Sequence, residues 1–155
     1  MSDGRPGHGP AWSASLARGS DAERQHWLDF ALETAAAADE VAMRWFRRLE
    51  RVDTKADRTF VTEADTGVER LVRERISRAF PEHGIVGEEF GTEAADAAAR
   101  WYIDPIDATS NFVRGVPVFA VLLALEVDGE LQAAVMSAPA MGERWYAARG
   151  LGAWA

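Results

Sequence analysis

The stretch VPVFAVLLALEVDGELQAAVMSAPAMGERWYAA, residues 116–148, decides the fold because it predicts consecutive β-strands joined by tight turns. Its first part is a near-continuous apolar run, and Asp128-Gly129 directly after it is a strong signal for a type I′ hairpin turn. A second turn is predicted at Pro139–Gly142. The predicted strands are 116–127, 130–137 and 143–148. Because such short connections join antiparallel neighbours, we predict an antiparallel meander.

Upstream of this stretch, apolar residues recurring at helical spacing predict two amphipathic helices. The predicted helices are about 21–50 and about 63–80, and short strands are predicted at 84–87 and 100–103. Ser20 and Glu23 have the spacing of a capping box, and Thr62 is placed to cap the second helix, with Asp65 at its first turn. Helices followed by strands indicate an α+β fold, with two long helices packed on one face of a mainly antiparallel sheet.

Composition narrows the chemistry that the chain can perform. The 155 residues carry a net charge of −8, contain no cysteine and contain only three histidines. A thiolate nucleophile, a thiolate metal site and a disulfide scaffold are therefore excluded, and a multi-histidine site is disfavoured. The acidic balance argues against a nucleic-acid partner, and no apolar run reaches the length of a membrane span. We expect a cytoplasmic protein in which carboxylates carry any chemistry.

The domain organisation is also readable from composition. Residues 1–19 are rich in glycine and proline and have no apolar period, so we interpret them as a disordered arm. Residues 20–155 are expected to form one α+β domain. The final residues resemble a strand end and a turn without a closing element, so the chain is expected to stop within a fold.

Carboxylates gather at the ends of predicted elements. Glu88 and Glu89 follow one short strand, Asp104 and Asp107 follow another, and Asp65 heads the second helix. Adjacent strand residues point to opposite faces, so only one of the two glutamates can share a site with Asp104. Hard oxygen donors grouped in this way suit Mg²⁺. The alternative is an Asx turn at the two aspartates and a solvated loop end at the glutamates.

Residues 108–111 follow the aspartate turn and are expected to open a short helix whose free N–H groups would cradle a phosphate. Together the motifs resemble those of the inositol monophosphatase family of Mg²⁺-dependent, lithium-sensitive phosphatases. The motifs are Lys55-x-Asp57-x-x-x-Val61-Thr62-x-x-Asp65, Gly87-Glu88-Glu89 and Trp101-Tyr-Ile-Asp104-Pro-Ile-Asp107-Ala-Thr109-Ser-Asn111-Phe112. The resemblance runs from about Asp21 to Trp154 and looks closest to the bacterial histidinol-phosphate phosphatase branch.

The resemblance implies a role for each matching residue. Glu88, Asp104 and the Ile106 carbonyl would hold one Mg²⁺, and Asp104 and Asp107 would reach a second, within a site for two or three ions. Asp65 and Thr109 would orient and deprotonate the attacking water. The backbone N–H groups of Ala108 and Thr109 would bind the phosphate. Glu89 and Lys55 would support the site from outside the direct metal contacts, although Glu89 is equally well explained as a surface charge.

Two departures from the family pattern bear on function. Ala108 stands where the family has glycine, so a Cβ occupies the point of closest approach between backbone and phosphate. The resemblance covers only the N-terminal half of the layered α/β/α/β/α sugar-phosphatase fold, and the aspartate motif of the C-terminal half is absent.

Two functions remain open at this point. One is a phosphomonoesterase acting on a small metabolite such as histidinol phosphate or inositol monophosphate. The other is a catalytically inactive truncated remnant that acts as a metal-binding or interaction module. A homodimer is compatible with either function.

Overall fold

The computed structural model of the protein describes residues 19–54 and 60–155. The predicted arm therefore lies outside the described residues, apart from Gly19, and so does Lys55. The helices are α1 (Asp21–Trp45), α2 (Glu63–Ala79) and α3 (Thr109–Val113). The strands are β1 (Val52–Thr54), β2 (Phe60–Thr62), β3 (Gly84–Gly87), β4 (Thr92–Glu93), β5 (Ala99–Asp107), β6 (Ala120–Val127), β7 (Glu130–Ala138), β8 (Glu143–Ala148) and β9 (Gly152–Trp154).

The strands after α2 form a seven-stranded sheet in the order β4-β3-β5-β6-β7-β8-β9. The predicted meander is confirmed, since β6, β7 and β8 pair antiparallel in sequence. Both Asp128 and Gly129 have positive φ, 51° and 83°, as a type I′ turn requires. The sheet is nevertheless mixed, because β3 and β5 run parallel. Strand β4 reverses the chain at the sheet edge, so β5 returns in the direction of β3 on the other side.

Both long helices begin at the predicted caps. Ser20 and Glu23 form a reciprocal capping box at α1, and Thr62 caps α2. Helix α1 ends at Trp45, earlier than predicted, because the backbone of Phe46 leaves the helical conformation with ψ at 121°. The Phe46 ring then packs against Phe112 and Phe119. Phe46 therefore fits the helical period of the sequence but contributes to the core from the residue after the helix.

One hydrophobic core lies between the helices and one face of the sheet. Helix α1 packs across β6, β7 and β8, α2 packs on β5, and the two helices contact each other. The predicted layering, with both helices on the same face, is confirmed. Buried side chains alternate along the strands on this face: Trp101, Ile103, Leu123, Leu125 and Val135.

Among the described residues, none of the helices covers the opposite face of the sheet. Leu122 pairs across the strands with Met136, which pairs with Trp145, and Asp104 stands at the other end of this row. Met136 and Trp145 are exposed, and together with neighbouring residues they line a groove of 870 Å³. The side away from the helices therefore presents apolar side chains together with the Asp104 carboxylate.

The apolar run that begins at Val116 enters the sheet later than predicted. Strand β6 starts at Ala120, and Val118 is 55% exposed. Pro117 has no N–H to donate to a strand ladder, which explains why this segment stays outside the sheet. Within the described residues no helix is long and apolar enough to cross a membrane.

Candidate metal and phosphate site

Three chain segments bring Glu88, Asp104 and Asp65 to one end of the sheet. Gly87 pairs with Ile103 in the parallel register of β3 and β5, so the next residues, Glu88 and Asp104, leave the pair side by side. Helix α2 begins next to them with Asp65 in its first turn. A cavity of 400 Å³ lies at this end of the sheet. It is lined by Phe60, Glu88, Asp104, Ile106, Asp107, Ala108, Thr109 and Ser110.

Asp65 is buried and bonded from two sides. Its Oδ2 accepts hydrogen bonds from the Thr62 N–H (2.7 Å) and hydroxyl (2.6 Å), which closes the capping box of α2. Its Oδ1 accepts from the Thr109 hydroxyl at 3.3 Å. Burial raises the pKa of Asp65, while the hydrogen bonds from Thr62 oppose that rise. One carboxylate thus both starts a helix and contacts the predicted catalytic hydroxyl.

The Thr109 hydroxyl lies between two acceptors. Besides Asp65, it can donate to the Ile106 carbonyl at 2.9 Å. A hydroxyl carries one proton, so it donates to only one of these oxygens at a time. The carbonyl that the family resemblance assigns to a metal and the hydroxyl assigned to water activation are therefore immediate neighbours.

Asp104 is the most strongly perturbed carboxyl of the site. Burial, followed by the nearby charges of Glu88 and Asp107, raises the pKa of Asp104 to about 7. Its Oδ1 is buried and has no hydrogen-bond partner. A buried, unsatisfied carboxylate oxygen beside two further carboxylates is costly without a cation. The donor set and this orphaned oxygen fit a divalent cation with hard-oxygen preference.

The carboxylates of the described residues do not by themselves surround a metal ion. Within residues 19–54 and 60–155, no group of three or more Asp, Glu or His side chains is arranged to hold a metal ion by itself. The Ile106 carbonyl, water and a bound phosphate would have to supply further oxygen ligands. Convergence of Glu88, Asp104 and Asp107 on one ion therefore stays a prediction.

The two adjacent glutamates have different environments. Glu88 lies on the side of Asp104, whose pKa it raises. The backbone N–H of Glu89 instead donates to Glu69 on α2 at 2.6 Å. The sequence predicted that only one of the two glutamates can share a site with Asp104. In the structure Glu88 lines the cavity together with Asp104.

Ala108 adopts the left-handed conformation, which is strained for alanine. Its φ and ψ are 63° and 47°, and it stands directly before α3. The Ala108 carbonyl accepts from the N–H groups of Asn111 and Phe112, which fixes the turn. Alanine in this region pays a steric cost that glycine avoids. The predicted short helix after the aspartate turn is confirmed.

Glu69 and Arg73 contact the loop that follows Glu88, and they were not predicted from the sequence. Both are buried on α2, and Glu69 lies one turn beyond Asp65. They fall beside the apolar stripe formed by Val68 and Val72, where charged residues usually mark the solvent side of a helix. The i, i+4 spacing of opposite charges was the only available signal, and it is equally typical of exposed pairs.

The fold and the acidic cavity define an α+β domain with a candidate metal site, and comparisons with known proteins identify its family. The model of the inositol monophosphatase family matches residues 23–155. The chain belongs to the inositol monophosphatase family.

Individual relatives agree with this assignment. The chain is 50% identical over 129 residues to a histidinol-phosphatase of Mycobacterium tuberculosis, covering 83% of this chain and 50% of that protein. It is 43% identical over 106 residues to an inositol-1-monophosphatase of Rhizobium meliloti, covering 67% and 40%. An IMPase structure from Thermotoga maritima matches with a TM-score of 0.79 at 35% identity, covering 83% and 50%. The chain thus spans about half the length of the relatives it matches.

Proposed function

We propose that the chain provides the water-activating and metal-binding part of a Mg²⁺-dependent phosphate monoester hydrolase. The observation that carries the proposal is the contact between the Thr109 hydroxyl and Asp65 at the edge of a cavity that also contains Asp104 and Glu88. A base, a hydroxyl relay and a carboxylate pair in one cavity are the parts that metal-assisted hydrolysis needs.

The cation would be held by Glu88, Asp104, Asp107 and the Ile106 carbonyl. When bound, Mg²⁺ supplies Lewis acidity and lowers the pKa of water. Asp104 fits this role because its Oδ1 is buried without a hydrogen-bond partner.

Proton movement would be carried by the chain's own residues. With the Ile106 carbonyl engaged elsewhere, Asp65 is the remaining acceptor for the Thr109 proton. The Thr109 oxygen can then accept a hydrogen bond from the attacking water and orient it. Burial makes Asp65 a better base by raising its pKa. The backbone N–H groups of Ala108 and Thr109 would bind the phosphate from the facing wall of the cavity.

Among small phosphorylated metabolites, we propose histidinol phosphate as the first substrate and inositol monophosphate as the second. The relative from Mycobacterium tuberculosis is named a histidinol-phosphatase and shares 50% identity over 129 residues. The relative named an inositol-1-monophosphatase shares 43% over 106 residues. The order of the two substrates follows the order of these identities.

The direct test is phosphate release from both substrates with and without Mg²⁺. We expect Mg²⁺-dependent release that Asp104→Asn abolishes and Glu74→Gln leaves unchanged, because Glu74 is an exposed glutamate of α2. Phosphate release that is independent of divalent cations, or that survives Asp104→Asn, would contradict the proposal.

A catalytically inactive metal-binding or interaction module is the second candidate. The observation that favours it is the open apolar groove on the sheet, which continues from Asp104 to Trp145. For this candidate we expect Mn²⁺ or Mg²⁺ binding that depends on Asp104, with no phosphate release from either substrate under any metal condition.

A further inference from the structure

Glu69 is a fully buried carboxylate that the proposed chemistry does not use. It lies on α2, one helical turn beyond Asp65, and its exposed fraction is 0%. A buried carboxylate is costly unless several donors compensate the loss of water. The donors around Glu69 therefore indicate what it does.

These donors come mainly from the loop that carries Glu88. The Glu69 Oε2 accepts the N–H of Glu89 at 2.6 Å, and its Oε1 accepts the N–H of Phe90 at 3.1 Å. The two amides directly follow Glu88 in the sequence. Charge-assisted hydrogen bonds of this kind are short and strong, so the loop is tied to α2 immediately beside the carboxylate that faces Asp104.

Arg73 completes the connection from the same helix. Its Nε donates to Glu69 at 2.8 Å, and its Nη1 donates to Glu93 at 2.8 Å. Its Nη2 donates to the Gly91 carbonyl, which also accepts the Gly87 N–H at 3.0 Å. The loop is thus closed on itself, and the guanidinium holds its later part at Gly91 and Glu93 while it also binds Glu69.

Gly87 shows how closely the two parts approach. A Cβ at this position would overlap the Glu69 carboxylate and would lie 2.7 Å from the Arg73 Nη2. No other residue type fits here without displacing the pair. The β3 end and the loop after it are therefore shaped around Glu69.

We propose that Glu69 is a positioning residue that sets the Glu88 carboxylate beside Asp104 for cation binding. The inference rests on the cation site of the proposed function. It assigns to α2 a second role besides presenting Asp65, because the same helix fixes the segment that follows Glu88 through two backbone amides.

The test measures Mn²⁺ binding to the whole chain by the EPR signal of free Mn²⁺, so no turnover is required. We expect Glu69→Gln to weaken Mn²⁺ binding about 10-fold, the range known for partners that orient metal ligands. Glu88→Gln should weaken it at least as much, and Glu74→Gln on the exposed side of α2 should leave it unchanged. Hydrogen exchange at the amides of residues 89 and 90 should accelerate in Glu69→Gln.

A double variant separates positioning from a general structural effect. If Glu69 acts through Glu88, adding Glu69→Gln to Glu88→Gln causes no further loss of Mn²⁺ affinity. The inference would be overturned if Glu69→Gln weakened Mn²⁺ binding by the same factor in the Glu88→Gln background as in the parent. It would also be overturned if folded Glu69→Gln bound Mn²⁺ with unchanged affinity. If Glu88→Gln and Asp104→Asn both bind Mn²⁺ normally, the cation site itself fails, which is a distinguishable result.

Arg73→Lys keeps the test decisive if Glu69→Gln does not fold. Lysine retains the charge but cannot hold Glu69, Glu93 and the Gly91 carbonyl with one planar group. We expect a smaller loss of Mn²⁺ affinity than in Glu69→Gln, again absent in the Glu88→Gln background. Unchanged affinity in Arg73→Lys, together with unchanged amide exchange at residues 89 and 90, would overturn the inference.

Discussion

The Thr109 hydroxyl oxygen lies 3.3 Å from Oδ1 of Asp65, although 44 residues of sequence separate them. The other oxygen of the same carboxylate accepts two hydrogen bonds from Thr62 and starts α2. Asp65 therefore caps α2 and is also the proposed acceptor of the Thr109 proton. Substitution can separate these two roles.

Asp65→Asn should retain the helix cap but lose the base. The asparagine carbonyl can still accept from Thr62, whereas an amide cannot take the Thr109 proton. We expect stability within about 1 kcal/mol of the parent and no phosphate release. Asp65→Ala should lose both functions and cost about 1–2 kcal/mol, the range for a lost cap. Urea unfolding and phosphate release measure the two effects, and equal stability losses in both variants would contradict the separation.

The metal-free protein should lose stability as the pH rises through the folded-state pKa of Asp104. That pKa is about 7, whereas an unfolded aspartate titrates near ~3.9. The folded state therefore binds the proton more tightly, and this contribution to stability is complete at low pH and is lost above about 7. In EDTA, the advantage of Asp104→Asn over the parent in free energy of unfolding should grow from pH 5 to pH 8.5.

Glu74→Gln is the control for this experiment because it removes an exposed carboxylate of α2. It should show no comparable trend with pH. Added Mg²⁺ should restore the parent's stability at pH 8.5 and leave Asp104→Asn unaffected. A parent protein that becomes more stable than Asp104→Asn between pH 7 and pH 8.5 without metal would refute the burial of an uncompensated carboxylate.

Local signals were sufficient to predict most of the fold. The capping residues Ser20 and Thr62 and the Asp128-Gly129 turn act through their immediate neighbours, and each predicted element end was found there. The end of α1 was missed because Phe46 fits the helical period but is recruited by the distant rings of Phe112 and Phe119. Contacts across the chain overrode local periodicity at that point.

The same distinction applies to the site. Glu88 and Asp104, which come from two separate motifs, line one cavity because the parallel pairing of β3 and β5 places Gly87 opposite Ile103. Glu69 was not predicted because its partners are the backbone amides of Glu89 and Phe90. Nearly every residue type has a backbone amide, so the sequence pattern does not reveal such a contact. Residues that support a site through backbone hydrogen bonds are therefore recognised from the folded structure and not from the spacing of motifs.

The open face of the sheet should cause the 155-residue chain to associate. Leu122, Met136 and Trp145 form an apolar row across β6, β7 and β8, and such uncovered faces favour burial against another surface. We expect sedimentation velocity to show dimers that increase with protein concentration and disappear in Met136→Lys. Leu131→Lys is the matched control, because Leu131 is 57% exposed but does not line the groove. Dissociation by both variants would place the contact elsewhere.

Ala108→Gly should stabilise the protein and strengthen phosphate binding, because it relieves the left-handed backbone at φ 63° and removes the Cβ at the cavity wall. Relief of the αL cost, partly offset by the greater freedom of unfolded glycine, predicts a gain of about 0.5–1 kcal/mol. Ala94 provides a matched control, since it also has positive φ, 47°, and does not line the cavity. Ala94→Gly should therefore raise the free energy of unfolding similarly without changing phosphate affinity. Urea unfolding and calorimetric titration with inorganic phosphate in Mg²⁺ measure the two quantities, and an equal change of phosphate affinity in both variants would show that Ala108 has no special relation to the anion.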